Sequence, residues 1–325
     1  MKVKAVRIHA QGAADVLRVE LVETGPPGPD EILIRQTAIG LNFQDIYHRS
    51  GWYSLPLPSG LGTEAAGVVE QVGSNVTEIR PGDRVCYAGG APGSDAAYRV
   101  FPADRVIVTP AGVTDEEAAA VLMKGMTVEY LLNRCYPVGR GMPVLFHAAA
   151  GGVGLLAGQW GRHIGARMIG IANGPEKCAL ALRNGYSECI DRSREDIVER
   201  VRALTKGEGV PVVYDCVGKD SFEQSLHCLA PRGVFVSFGT ITGPPPPVSA
   251  PLLQKLGSLY FTRPTLATYI ASVADLRASA AAVFDLLARG ILEININQRY
   301  PLDEVALAHK DLERGRNTGS TLLIP

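Results

Sequence analysis

The sequence predicts an α/β protein with two domains, one built on a doubly wound parallel sheet and the other rich in antiparallel β-strands. The chain has 325 residues, which exceeds the usual size of one domain, and its 46% hydrophobic content suffices for more than one core. Short strands broken by Gly and Pro fill the first part of the chain. Apolar strands alternate with helical segments in the middle part, which is typical of a parallel sheet.

Residues 1 to about 110 are predicted to form an antiparallel, barrel-like β domain. Thr114, with Glu117 three residues later, is a predicted capping box that begins an Ala-rich helix extending to about Cys135. This box marks the expected hinge between the domains. The clearest strands before it are residues 3–9, 31–38, 65–72 and 105–109.

Between about residues 142 and 264 the strands and helices alternate, which predicts a parallel sheet covered on both faces. After about residue 266 this alternation stops, and the tail is expected to rejoin the first domain. The tail contains two helical stretches, 272–289 and 302–314, and short strands at 298–300 and 321–324. The predicted strands of the parallel sheet are residues 143–147, 167–172, 188–191, 211–216, 233–238 and 258–262.

Charge balance and cysteine spacing exclude several classes of function. Lys and Arg number 32 against 33 Asp and Glu, which argues against a nucleic-acid partner. The six cysteines include no C-x-x-C pair, so neither a zinc lobe nor a redox dithiol is predicted. The N-terminus lacks a signal peptide and no apolar stretch reaches about 18 residues, so we expect a cytoplasmic protein without a membrane span.

The run A-A-A-G-G-V-G at residues 148–154 predicts a turn that binds the diphosphate of a nicotinamide dinucleotide. An apolar strand leads into it and a helix begins at about Val153. A β-carbon at Gly151 or Gly152 would keep the diphosphate from the backbone amides, and Gly154 lets helix and strand pack closely. Because the run is looser than G-x-G-x-x-G, a purely structural turn is the alternative. The predicted contacts are Ala149, Gly151, Gly152 and Val153.

The end of the second parallel strand predicts NADPH rather than NADH. Enzymes that use NAD usually have Asp or Glu there to bond the ribose hydroxyls, whereas this chain has Asn173 and Gly174. Lys177 follows, and Arg192 lies just after the third strand, so both cations are expected to reach a 2′-phosphate. The alternative is that both are solvated surface charges.

With these motifs in place, the chain resembles the zinc-free quinone oxidoreductases of the medium-chain dehydrogenase/reductase superfamily, which are related to ζ-crystallin. The resemblance implies a GroES-like catalytic domain (1–122 and 267–325), a Rossmann NADPH-binding domain (123–266) and a homodimer joined through the Rossmann domain. The matching stretches extend nearly end to end and are residues 38–45, 58–67, 146–154, 213–218 and 257–264.

Two departures from related sequences matter for the chemistry. Zinc-dependent relatives carry a Cys after the third strand and a later Gly-His-Glu, whereas this chain has Asn42-Phe43 and Gly62-Thr63-Glu64. Without the thiolate and imidazole ligands no catalytic zinc is expected. Family members commonly have a Tyr near the 2′-phosphate where this chain has Arg192, so the contacts there are expected to differ.

The resemblance also places side chains around the nicotinamide and the quinone. Asn42 is expected to bond the ribose or a quinone oxygen, and Tyr47 and Tyr53 to bond or protonate the reduced oxygen. Arg263 is expected to stabilise developing negative charge. Asp45 is a further candidate, although Asn42 and Asp45 could instead cap the following helix. The remaining expected cofactor contacts are Val217 and, with simple packing as the alternative, Lys124, Thr127, Phe238, Gly239 and Thr240.

The predicted activity is therefore reduction of a small-molecule quinone by NADPH without a metal. A quinone is a strong hydride acceptor, so positioning over the nicotinamide is expected to supply most of the catalysis. One alternative is reduction of an enone or alkenal. Another is a non-catalytic, crystallin-like or RNA-binding protein that holds NADPH, which the balanced charge and 6% aromatic content support poorly.

Overall fold

The computed structural model describes residues 1–325 and divides into two compact units. The first unit comprises Met1–Met126, Ile270–Phe284 and Ile294–Pro325, and the second comprises Thr127–Tyr269 and Asp285–Glu293. The second unit contains a parallel sheet, and the first contains two sheets built mainly from antiparallel pairs.

Sixteen strands occur along the chain. They are β1 (Lys2–Ile8), β2 (Arg18–Glu23), β3 (Glu31–Leu41), β4 (Ser59–Gly60), β5 (Glu64–Val72), β6 (Arg84–Ala88), β7 (Tyr98–Pro102), β8 (Ile107–Val108), β9 (Pro143–Phe146), β10 (Arg167–Ala172), β11 (Glu188–Asp191), β12 (Val210–Asp215), β13 (Leu229–Ser237), β14 (Tyr260–Thr262), β15 (Ile296–Pro301) and β16 (Ser320–Ile324).

Ten α-helices accompany the strands, and none is both long and apolar enough to cross a membrane. Short 3-10 turns cover Ala14–Val16, Ala103–Arg105 and Leu302–Glu304, and a π-helical turn covers Tyr130–Cys135. The α-helices are α1 (Phe43–Ser50), α2 (Asp115–Glu129), α3 (Gly152–Ile164), α4 (Pro175–Arg183), α5 (Ile197–Leu204), α6 (Phe222–Cys228), α7 (Ala250–Lys255), α8 (Leu266–Tyr269), α9 (Val273–Ala288) and α10 (Val305–Glu313).

The predicted parallel sheet is confirmed in the second unit. Its six strands lie in the order β11-β10-β9-β12-β13-β14, and every pair is parallel. Strands β9 and β12 read as apolar runs because helices cover both faces of such a sheet. From β9 the chain builds outward through β10 and β11, and then crosses to the other side at β12. The carboxyl ends of β9 and β12 therefore border the crevice in which doubly wound sheets bind ligands.

The first unit contains a three-stranded sheet, β2-β1-β4, and a seven-stranded sheet with β3 as its hub. Strand β3 pairs antiparallel with β5, β7 and β16, so the C-terminal strands belong to the same sheet as the N-terminal ones. Strands β15 and β16 pair in parallel. The shared core is apolar and includes the fully buried side chains of Ile8, Ile32, Ile34, Ile39 and Val85.

The helical stretch expected to reach about Cys135 does end there, with π rather than α geometry after Glu129. Several predicted strand boundaries were wrong for local reasons. The strand expected at 105–109 shrinks to Ile107–Val108 because a 3-10 turn ends at Arg105. The last parallel strand begins at Tyr260 rather than 258, because Ser258 has a φ of 59°, which an extended strand does not accommodate.

Candidate active site

The glycine turn lies between β9 and α3, at the carboxyl edge of the parallel sheet. Gly151 precedes the helix in an extended conformation, with φ −79° and ψ 171°, and Gly152 is its first residue. A Cβ on Gly154 would lie 2.3 Å from the carbonyl oxygen of Ala148, so close packing requires glycine there. A Cβ on Gly151 would meet only that same oxygen, at 3.3 Å. The space beside Gly151 is thus nearly free, as a diphosphate would need.

The turn is tied to its neighbouring strand through Ala149. Its buried backbone N–H donates to the carbonyl oxygen of Ile171 on β10, at 3.0 Å. Val153 lies in the first turn of α3, where backbone N–H groups have no partner within the helix. The helix dipole adds positive potential at this end, so the turn has the electrostatics of an anion site.

A cavity of about 340 Å³ opens at the carboxyl ends of β9, β10 and β11 in the second unit. Two of its lining residues, Asn173 and Arg192, were predicted as cofactor contacts. The sequence pattern assigned no chemistry to His147, and it did not predict the other lining residues as site residues. The lining residues are His147, Asn173, Arg192, Glu195, Ile197, Asp220, Ser221 and Gln224.

Asp191, the last residue of β11, organises the loops beside this cavity. Its Oδ1 accepts hydrogen bonds from the backbone N–H of Gly174 at 2.8 Å and from the hydroxyl of Ser193 at 2.7 Å. The hydrogen bonds from Ser193 and Gly174 hold the pKa of Asp191 below its usual value. This carboxylate is therefore used to fix the loop that carries Gly174, which has a left-handed φ of 90°.

Arg192 at the cavity is near enough to Lys177 for the two positive charges to interact. Arg192 is exposed and lines the cavity. The carboxylate of the neighbouring Asp191 lies 3.9 Å from the guanidinium of Arg194. Burial, together with the positive charge of Arg192, lowers the pKa of Lys177. Because like charges repel, an anion bound between Lys177 and Arg192 would relieve this cost. A 2′-phosphate has the required charge.

His147, directly after β9, takes part in a buried hydrogen-bond network. Ser225 donates its hydroxyl to Asp215 Oδ2 at 2.8 Å, so His147 Nε2 donates to that hydroxyl, also at 2.8 Å. Asp215 Oδ1 accepts from the backbone N–H of Val217 at 2.8 Å. Burial lowers the pKa of His147; the negative charge of Asp215 opposes this shift, and the positive charge of Arg192 adds to it. The network fixes the loop after β12 that carries Val217.

The loop after β13 is held by Arg263, which follows β14. Arg263 Nη1 donates to the carbonyl oxygens of Ser237 at 3.1 Å and Gly239 at 2.7 Å. A Cβ on Gly239 would lie 2.7 Å from Cys216, so the loops after β12 and β13 pack tightly. Arg263 thereby positions the predicted cofactor contacts of this loop, which are Phe238, Gly239 and Thr240.

In the first unit, Glu64 joins two predicted residues. Its Oε2 accepts from Asn42 Nδ2 at 2.9 Å and from Lys124 Nζ at 3.2 Å. Its Oε1 accepts from the backbone N–H of Met123 at 2.6 Å, and the carboxylate is fully buried. A Cβ on Gly40 would lie 2.2 Å from Glu64 Oε2, so glycine there makes room for this carboxylate.

Sequence reasoning did not identify Glu64 as a site residue. The available signal was a carboxylate at the start of β5, a strand whose following residues are mostly apolar and buried. A buried charge in such a strand needs a partner of opposite charge. Lys124 supplies it, 60 residues further along the chain.

Asp45 caps helix α1. Its Oδ2 accepts the backbone N–H of Asn42 at 2.8 Å, and the residue is fully buried. Burial raises the pKa of Asp45 well above its usual value, and the nearby carboxyl group of Asp95 raises it further. Of the two interpretations, helix capping is the one that these contacts support.

Tyr47 and Tyr53 lie together at the end of α1. Their ring centroids are 5.4 Å apart in an edge-on arrangement, and the backbone N–H of Tyr53 donates to the carbonyl oxygen of Tyr47 at 3.0 Å. Thr127 is half-buried on α2.

Nowhere does the structure group three or more His, Cys, Asp or Glu side chains that could hold a metal ion.

Two family models match the chain. Residues 28–111 match the alcohol dehydrogenase GroES-like domain, and residues 152–287 match the zinc-binding dehydrogenase family. The quinone oxidoreductase of Pseudomonas aeruginosa is 48% identical over 99% of both chains. A 2-haloacrylate reductase from a Burkholderia species is 39% identical over 99% of both chains. The crystal structure of Escherichia coli quinone oxidoreductase complexed with NADPH superimposes with a TM-score of 0.97 at 43% identity, covering 99% of this chain and 100% of that one.

These similarities extend over both units, and they agree with the glycine turn, the strand order and the predicted family motifs. The chain belongs to the quinone oxidoreductase family of the medium-chain dehydrogenase/reductase superfamily.

Proposed function

We propose that the protein reduces quinones with NADPH as the hydride donor. The observation that carries the proposal is the similarity, over nearly the whole chain, to quinone oxidoreductases, one of which was crystallised with NADPH. When bound, NADPH supplies the hydride. The first unit is proposed to hold the quinone and the second unit to hold NADPH.

The cofactor contacts follow from the charge and space in the second unit. The free space beside Gly151 and the N-terminus of α3 suit the diphosphate. Arg192 and Lys177 are proposed to bind the 2′-phosphate, which would offset their mutual repulsion. Asn173 and Gly174 are proposed to contact the adenosine ribose.

At the substrate, the hydrogen bonds of Asn42 limit what it can do. Its Nδ2 donates to Glu64 and to the carbonyl oxygen of Gly40, at 2.9 and 3.1 Å. Since a carboxylate only accepts, Glu64 fixes which side of the amide faces it, and Oδ1, which faces the backbone N–H of Asp45 in the capping box, keeps a second lone pair as an acceptor. That suits a ribose hydroxyl better than a quinone oxygen. We therefore assign contact with the quinone oxygen, and its protonation, to the hydroxyls of Tyr47 and Tyr53.

Stopped-flow measurement of NADPH oxidation with a panel of quinones, an enone and a 2-haloacrylate tests the activity. We expect quinones to be turned over fastest, and the 2-haloacrylate relative is the reason to include the activated alkenes. Absence of NADPH oxidation with every quinone would overturn the proposal.

The substitution Arg192→Gln tests the proposed contact between Arg192 and the 2′-phosphate of NADPH. Loss of one charged hydrogen-bonding partner should raise KM for NADPH by about 10- to 100-fold and leave KM for NADH unchanged. Arg194→Gln removes a neighbouring exposed charge outside the cavity lining and is the matched control. Equal effects of Arg192→Gln on NADPH and NADH would contradict the assignment.

We also propose that the active form is a homodimer joined through the second unit. Strand β14 is the edge of the parallel sheet, and Tyr260 on it is 63% exposed. An uncovered edge strand is a ready surface for pairing with a second copy. Size-exclusion chromatography with light scattering should give twice the chain mass, and a monomer at micromolar concentration would contradict this proposal.

A further inference from the structure

An exposed aromatic surface follows helix α1 in the first unit. Trp52 is 46% exposed and Tyr53 is 36% exposed, and Leu57 nearby is also exposed. These are three of the nine large hydrophobic side chains exposed in the whole chain, and they fall within six residues. Clustering of this kind marks a binding surface more often than singly scattered apolar residues do.

The segment that carries this surface is free of charge. Residues 51–58, all exposed except the half-buried Leu55, contain no Asp, Glu, Lys or Arg, although 20% of the chain is charged. An exposed segment without charges is costly in water and suits a neutral, apolar ligand.

The rings have a defined arrangement. Trp52 stacks on Tyr47, with centroids 5.9 Å apart and planes inclined by 12°. Tyr47 is only 7% exposed, so Trp52 covers one of its faces and presents its own opposite face outward. Gly51, with a φ of 90°, ends α1 and turns the chain so that Trp52 returns over Tyr47. Gln11 holds this turn by donating to the carbonyl oxygen of Tyr53 at 3.2 Å.

The aromatic surface is near the predicted reaction residues. Tyr47 is five positions after Asn42, which corresponds to about 8 Å along the helix axis. We propose that the outer face of Trp52 is part of the quinone subsite and stacks on the quinone ring system. Indole is electron-rich and a quinone ring is electron-poor, so their faces attract each other. This inference rests on the proposed function.

Kinetics of Trp52→Ala tests the inference. Removing one stacked pair should raise KM for 1,4-naphthoquinone by about two- to tenfold, with little change in kcat and none in KM for NADPH. Trp52→Phe keeps a ring and should retain part of the effect. Unchanged KM for the quinone in Trp52→Ala, with turnover intact, would refute the role of Trp52 but not the proposed function.

Fluorescence gives a second readout that does not depend on turnover. The chain has two tryptophans, and Trp160 is only 4% exposed. Titration with 1,4-naphthoquinone should quench Trp52 saturably and without shortening its excited-state lifetime, and Trp52→Phe should abolish that component. Trp160→Phe is the control and should retain it. Quenching that stays linear and shortens the lifetime would show collision only and would overturn the inference.

Discussion

Asp95 is a buried carboxyl group for which the fold supplies no hydrogen-bond donor. Neither Oδ1 nor Oδ2 has a partner, and the residue is almost completely buried. A Cβ on Gly62 would lie 2.0 Å from Oδ1, so the group is packed directly against the backbone. Burial raises the pKa of Asp95 to about 7, and the nearby Arg99 offsets only part of this shift.

The raised pKa sets the sign of the pH dependence. The ordinary value is 3.8, so between about pH 4 and 7 the unfolded chain has lost the proton that folded Asp95 keeps. Its contribution to stability is complete below about pH 4 and is lost as the pH rises to about 7. A difference of about three pKa units corresponds to about 4 kcal/mol. Asp95→Asn stays neutral, and it also removes the repulsion that Asp95 exerts on Asp45.

We therefore expect Asp95→Asn to equal the wild type in stability near pH 4 and to exceed it by about 4 kcal/mol at pH 8. Urea unfolding followed by circular dichroism at several pH values measures the difference between the two proteins. Asp104→Asn, an exposed aspartate in the same region, is the matched control and should show no such trend. A difference between Asp95→Asn and wild type that stays constant from pH 4 to 8 would refute the reasoning.

Two further substitutions test packing and charge. Gly154→Ala places a Cβ 2.3 Å from a carbonyl oxygen and should cost about 1–3 kcal/mol of unfolding free energy in thermal denaturation, whereas Gly139→Ala, with open space around it, should be neutral. Glu64→Gln leaves Lys124 buried without its counter-charge and should lower the unfolding free energy by about 3 kcal/mol, against about 0.5 kcal/mol or less for the exposed Glu70→Gln. Equal losses of stability in Gly154→Ala and Gly139→Ala would contradict the packing argument. Equal losses in Glu64→Gln and Glu70→Gln would contradict the charge argument.

The parallel sheet could be predicted from the sequence because its strands are covered on both faces. Strands β10 and β11 were predicted with the bounds that the structure shows, since each follows a helix in the alternating pattern. Strand β13 was predicted to begin at 233 but begins at Leu229. Pro231 and Gly233 read as a turn, yet the chain stays in the sheet by placing Arg232 at a φ of 63°.

Some parts of the candidate site depend on residues that are close in the sequence, and other parts depend on residues that are far apart in it. The glycine turn and the hydrogen bond from Asn42 to Asp45 each involve residues at most a few positions apart, so their geometry follows from the local sequence. The packing of Trp52 on Tyr47 also spans only five residues, but it depends on the left-handed turn at Gly51, which the apolar pattern does not indicate.

Glu64 shows what a sequence pattern leaves undetermined at such a site. The residue type of Asn42 allows it to donate or to accept, and both roles were open until the position of Glu64 was known. A buried carboxylate 2.9 Å from Nδ2 occupies the donor side of the amide, and Lys124 Nζ donates to that same carboxylate at 3.2 Å. The contacts on which the proposed role of Asn42 rests thus come from residues 22 and 82 positions away in the chain, at separations that no local motif specifies.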